Sequence, residues 1–310
     1  MCNPLKHKHT TSEHFTKPQF LARIAHMEYV SPKPLNSWFD FEAELQKING
    51  LREERKSQHK PDFDEPIYRG IGSSGWKLET TLERSFPSER CDETTSLRRY
   101  YRKIAASKPT VETLTQRNWD QVPDFPEFDR ELHEHQGYWL DTFLNQHTAV
   151  YEYLIYLRHH GFPSPLLDWT ASPYVAAFFA FDTMDKHATH VSVYALLRGS
   201  TIGSGSAHLF IVGPYVKCDP RHYAQQSRYS LCVRLGNDDY HFKPHEECRP
   251  EETYGLRGEL LKFDIPASDR VPALKHLDLM NINPFSIYGS EDSLVRTVAR
   301  RELLFKPWNL

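Results

Sequence analysis

The residues of this chain that could do chemistry fall in a few short blocks. The densest holds Leu167-Asp168-Trp169-Thr170, then Ser172-Pro173 opening an apolar stretch to Phe181. Ser172 and Pro173 read as helix N-cap and first helical position. The serine oxygen accepts from an orphan N–H, and the proline lacks one. The helix they open is apolar on every side, which predicts burial. Asp168, Trp169 and Thr170 therefore stand just before a helix N-terminus, where free N–H groups and the positive dipole end suit an anionic ligand. The competing reading is that Asp168 and Thr170 only cap and brace a turn. A second block is Tyr68-Arg69-Gly70. A buried Arg69 needs a counter-charge, and an Arg69–Asp168 ion pair would account for both blocks without a ligand. Asp168 thus either neutralises Arg69 or faces a cleft. A third block is Gln225-Gln226, whose amides accept and donate but carry no charge; they serve a site or brace a turn.

Other arrangements are excluded by spacing. His241-x3-His245-x2-Cys248 has metal-ligand residue types, but Pro244 interrupts it and no second Cys/His pair follows at fixed spacing, so no metal is expected. There is no G-x-S-x-G nucleophile elbow. Gly72-x-x-Gly75-Trp76-Lys77 lacks the spacing and the Ser/Thr of a P-loop.

Composition sets the outer bounds. The 310 residues are 39% hydrophobic and 13% aromatic, enough for one large core or two modest ones. A net charge of −3 gives no footprint for nucleic acid. The apolar run around Tyr174–Phe181 is too short to span a bilayer, and no secretory leader is visible, so no membrane partner is expected. Cys2, Cys91, Cys218, Cys232 and Cys248 form no C-x-x-C pair; this predicts reduced thiols and a cytoplasmic location.

The elements that must position these residues follow from periodicity and punctuation. Residues 1–36, polar, basic and proline-bearing, are expected to form an N-terminal arm, with a single domain over 37–310. Trp38, Phe39, Phe41, Leu45 and Ile48 predict a helix, capped by Ser37 and closed by Gly50. Pro66–Ile71 reads as a strand entering a glycine-rich turn. Helices are expected over 92–106 and 126–160, the latter ending in Arg158, His159 and His160, cations that suit the negative dipole end. Strands follow at His190–Leu197, Leu209–Val216 and Tyr229–Leu235, the last turning through Gly236–Asp239 into Tyr240–Phe242, and then at Leu260–Ile265. Helices at 268–279 and 290–304 finish the chain. Helices first and strands later, without βαβ alternation, predict an α+β fold with a mainly antiparallel strand-rich half.

Three blocks carry a resemblance. Tyr68-Arg69-Gly70, with Trp76 and Leu78 downstream, is similar to the opening signature of the FRG domain family. His159-His160-Gly161-Phe162-Pro163 with Leu166-Leu167-Asp168-Trp169-Thr170, Ser172-Pro173 and Ala176–Ala180 resembles its central block. His222-Tyr223-Ala224-Gln225-Gln226-Ser227-Arg228-Tyr229 resembles its third, with Ser227 where the pattern has glycine. The resemblance covers roughly residues 37–305. The order of blocks is also similar to that of ADP-ribosyltransferases, which carry an Arg or His on a first strand, a Ser-Thr-Ser-type strand with a following helix, and a Glu on a later strand.

That second resemblance implies a split sheet and NAD as substrate or ligand. It implies that Arg69 binds a phosphate or ribose oxygen and that Gly70 admits the dinucleotide to the backbone. Trp169 or Tyr174 would stack on nicotinamide or adenine, and Thr170 and Ser172 would hold the strand edge and helix cap. Tyr68 completes the binding set. Gln225 and Gln226 stand at the position of the transferase glutamate, and Asp168 is the candidate for the missing carboxylate. The implied activity is NAD cleavage or ADP-ribose transfer, in a toxin or anti-phage effector with a protein target. The alternative is a non-catalytic protein-interaction or regulatory module.

Overall fold

The computed structural model of the chain describes residues 30–57, 65–86, 95–134, 139–197, 207–212, 219–236, 239–247 and 259–306. Eight strands form one sheet in the order β1-β8-β4-β2-β3-β6-β5, with β7 paired to β6. They are β1 (Val30–Pro34), β2 (Ile67–Ile71), β3 (Leu167–Thr170), β4 (His190–Leu197), β5 (His208–Val212), β6 (Ser227–Leu235), β7 (Tyr240–Phe242) and β8 (Glu259–Pro266). All neighbours are antiparallel except β1 and β8. Eleven α-helices accompany the sheet among the described residues, so the fold is mixed α and β with a mostly antiparallel sheet. No helix among them is long and apolar enough to cross a membrane.

Pairing along the sheet is uneven. β2 pairs with β4 over five residues, whereas β2 and β3 share only Tyr68↔Thr170. The strands diverge on either side of that pair, and the chemistry-bearing blocks lie along the divergence.

The helices sit mainly on one face. Helix α1 (Trp38–Ser57), α7 (Pro173–Asp182) and α9 (Arg270–Leu279) bury Trp38, Phe41, Phe178, Phe181 and Leu274 against Tyr68, Val193 and Phe263 of the strands. Helices α3 (Leu97–Thr115), α4 (Phe125–Glu134), α5 (Trp139–Gln146) and α6 (Thr148–His159) pack with Tyr229, Leu231 and Val233 of β6. The register places Asp168 opposite Tyr229, so Asp168 shares this helical face. The opposite face carries Ile67, Ile71, Trp169 and Tyr194, and Arg69 by alternation.

Helix α7 starts as expected: Ser172 accepts from Val175 N–H at 3.3 Å, and Pro173 opens the first turn. Its small residues allow close contact with β2. A Cβ at Gly70 would lie 1.8 Å from the Ala176 carbonyl oxygen, so only glycine fits beneath the helix.

Several expectations need correction. Gly50 does not close the first helix, which runs on to Ser57, because glycine weakens a helix by only about 1 kcal/mol. The 126–160 segment is three helices, and the helix expected at 92–106 runs from Leu97 to Thr115 with Pro109 inside it. Leu167–Thr170, read locally as a turn although the transferase resemblance implied a strand edge at Thr170, is an interior strand in which Leu167, Trp169 and Thr170 are buried and Asp168 is half-buried. Of the N-terminal arm, residues 1–29 lie outside the described residues, and Val30–Pro34 at its end form edge strand β1, held by parallel pairing with β8. Cys232, expected to be reduced, is disulfide-bonded. Cys248 of the metal-like cluster lies outside the described residues.

Candidate functional site

The divergence of β2 from β3 opens into a cavity of about 960 Å³. Its walls come from β2 and the turn after it, from helix α2 (Thr81–Ser85), the end of α6, β3 and the start of β6, together with Arg221 and Gln225 of the segment around helix α8 (Pro220–Ala224). Tyr288, at the end of helix α10 (Pro284–Tyr288), closes one side.

Arg69 enters this space from β2. Its Nη1 donates to the Asp168 backbone carbonyl at 2.7 Å and stands 3.9 Å from Asp168 Oδ2. Its Nε is buried and has no hydrogen-bond partner among the described residues. Burial, together with the nearby Arg158 and Arg84 charges, outweighs the attraction of Asp168 and lowers its pKa to about 10. This is an incompletely satisfied guanidinium, the kind of group that gains by receiving an anion.

The principal partner of Asp168 is Arg158, which sequence reasoning treated only as a helix-end cation. Arg158 Nε and Nη2 grip the two Asp168 carboxylate oxygens in a bidentate pair, and Nη1 donates to Thr81 Oγ1 at 3.0 Å. Desolvation would raise the Asp168 pKa, but the Arg158 charge and hydrogen bonds, with a further contribution from Arg69, hold it below the usual carboxylate range. Both alternatives stated for Asp168 are met in part: it lines the cavity and it stands within ion-pair distance of Arg69. Its side chain is 45% accessible through the cavity, but its charge is compensated by Arg158 rather than by Arg69 alone.

The pairing sets an expected result. Removing one partner of a buried pair costs about 3–5 kcal/mol. Because water reaches Asp168, Arg158→Ala should cost less, about 1–3 kcal/mol in urea unfolding. The Asp168 contribution is present above the unfolded carboxylate value of about 3.9 and disappears as pH falls through the lowered folded value. An Arg158→Ala midpoint equal to that of the parent protein would show the pair to be energetically idle.

The other expected site residues are distributed unevenly. Tyr68, Gly70 and Thr170 line the cavity, and Thr170 Oγ1 also accepts from Ser172 N–H at 3.0 Å. Trp169 lies at the wall, but its ring is 4% exposed and its Nε1–H donates to Ser230 Oγ at 2.6 Å, so no open face remains for stacking. Ser172 caps α7 and Tyr174 donates to Glu42 at 2.6 Å; neither lines the cavity. Gln225 lines it, with Nε2 donating to the Ile287 carbonyl at 3.4 Å. Gln226 acts through its backbone, taking a left-handed φ of 48° and accepting from Ala171 N–H at 3.0 Å.

The cavity is cationic. Arg69, Lys77, Arg84, Arg158 and Arg221 line it against two carboxylates, Glu79 and Asp168. His159 also lines it, with Nε2 3.0 Å from Tyr229 hydroxyl, and burial lowers its pKa, which favours the neutral ring. Lys77, Glu79 and Arg84 were missed because they follow the tyrosine-arginine-glycine block in a stretch with no motif. Behind the sheet, Ser230 Oγ lies 2.7 Å from Nε2 of buried His245. Since Ser230 receives the Trp169 N–H, its own proton goes to Nε2, leaving the imidazole hydrogen on Nδ1, which has no partner among the described residues.

No curated protein and no solved structure matches this chain. One family model does, over residues 64–189, a span that includes Tyr68-Arg69-Gly70 and the whole block from His159 to Phe181 but not Gln225-Gln226. The blocks that meet at the β2–β3 divergence lie within that match: residues 64–189 fit the model of the FRG domain.

Proposed function

We propose that this protein binds NAD or a closely related nucleotide in the cavity between β2 and β3, and acts there on the nicotinamide–ribose bond, by hydrolysis or by ADP-ribose transfer. The observation that carries this reading is the cavity itself. At about 960 Å³ it is of a size for a dinucleotide, and five cationic side chains, one with an unpaired buried Nε, outnumber its two carboxylates. The neighbouring placement of β2, β3 and β6 also supports it, because the resemblance to ADP-ribosyltransferases requires the arginine strand, the helix-preceding strand and the third block to share one cleft.

The test is a melting-temperature comparison with NAD, ADP-ribose and ATP. Ligand at about 100 times its dissociation constant stabilises a protein by about 2.7 kcal/mol. NAD should raise the melting temperature of the parent protein and not of Arg69→Ala. No shift with any of the three nucleotides overturns the reading.

A binding role without turnover is favoured by one observation: Asp168 is gripped by Arg158, and Gln225 is uncharged, so neither supplies a free carboxylate for a cationic transition state. Assaying nicotinamide release alongside binding separates the two.

A further inference from the structure

We infer that Glu79 is the catalytic carboxylate of the cavity, the group that stabilises positive charge on the ribose as the nicotinamide bond breaks. The inference rests on the reading of the cavity as an NAD site.

Such a bond breaks through an oxocarbenium-like state, which calls for an ionised carboxylate beside the sugar. Among the described residues only two carboxylates line the cavity. Asp168 is committed to Arg158 on both oxygens. Among the described residues no hydrogen bond or ion pair holds the Glu79 carboxylate, although Arg69, Arg84 and Lys77 line the same space.

The backbone around Glu79 is anchored. Its neighbours Leu78 and Thr80 are 2% and 4% exposed, while Glu79 itself is exposed. Glu79 is thus the accessible residue between two buried ones, and it lines the cavity. Both flanks are anchored. Leu78 N–H donates to Glu246 Oε1 at 3.1 Å, and Thr80 and Glu83 form a reciprocal capping box at the start of α2. The Glu79 carbonyl is held as well, accepting from Arg84 Nη1 at 2.6 Å. An uncommitted carboxylate on a pinned backbone, lining a cationic cavity, is suited to stabilise the charge that develops at C1′.

The step balances simply. The bond from C1′ to the nicotinamide nitrogen breaks, and its electron pair leaves with neutral nicotinamide. Water, or an acceptor nucleophile, adds to the cationic C1′ and gives up one proton, for which Glu79 is the local base. Hydrolysis thus yields ADP-ribose, nicotinamide and one proton.

The experiment measures both NAD-induced melting shift and nicotinamide release for the parent protein, Glu79→Gln, Glu79→Asp and Asp168→Asn, all as full chains. Glu79→Gln should keep the parent's unliganded melting temperature and its NAD shift, and lose about 10²- to 10⁴-fold in release, the usual contribution of a positioned acid or base. Glu79→Asp should recover part of that rate. Release by Glu79→Gln within a few-fold of the parent overturns the assignment, as does a parent protein that binds NAD and releases no nicotinamide. A parent protein with no NAD shift instead overturns the binding reading beneath it.

Discussion

Gly70→Ala is expected to destabilise the protein by about 3 kcal/mol or more, at the upper end of overpacking costs. In a domain of this size that is a fall of roughly 6–12 °C in melting temperature. The added Cβ would lie 1.8 Å from the Ala176 carbonyl oxygen and 2.7 Å from Ala180 N, both backbone atoms of α7. No side-chain rotation relieves such a contact; the helix must lift from β2. Lifting it also uncovers Val175, Ala176, Phe178 and Phe181, which are 3% exposed or less. The resemblance suggested that Gly70 makes room for a ligand. The packing says that it makes room for α7. Gly75→Ala is the control: a Cβ there meets only Ser73 Oγ at 3.8 Å, and the change should be within about 0.5 kcal/mol of neutral. Thermal melts of both variants decide the matter. Equal melting temperatures for Gly70→Ala and the parent would refute this account of the glycine.

The second large effect is acid lability centred on His245. The ring is 3% exposed; burial, with the Arg69 charge adding to it, lowers its pKa from 6.5 to about 3. In the unfolded chain the ring takes a proton near 6.5, and in the folded chain only near 3. Stability is therefore full above about pH 6.5 and is lost progressively as pH falls toward the folded value. Each pH unit in that window costs about 1.36 kcal/mol, so about 2–3 kcal/mol is gone near pH 4.5. His245→Gln removes the titration and keeps an acceptor for the Ser230 hydroxyl. Urea midpoints at about pH 7.5 and 4.5 should therefore separate widely for the parent and less for His245→Gln. If the two proteins lose stability in parallel, His245 is not the group responsible.

Much of this arrangement was legible from residue order. The α7 cap announced itself through Ser172-Pro173, and the strands β4, β6, β7 and β8 through alternation and a glycine-led turn. β3 was not legible: four residues, two of them polar, fall below what periodicity resolves. The Asp168–Arg158 pair was hidden because the helix dipole already explained a cation at the end of α6. Arg69 and Asp168 were brought together as expected, yet the closest contact is to a backbone carbonyl, which no side-chain pattern encodes. Trp169 offered an aromatic ring for stacking, but its N–H found a buried serine on the next strand, a partner that only the β3–β6 register supplies.

The single residue pair between β2 and β3 has a mechanical meaning as well. A fully laddered sheet is stiff, because bending it stretches many hydrogen bonds at once. Here the ladder narrows to Tyr68↔Thr170, while each side keeps its own helical backing. The weakest lateral link of the sheet therefore lies between β2 and β3. Arg69 reaches from β2 to Asp168 of β3, so their contact adds a side-chain tie where the backbone ladder supplies a single pair.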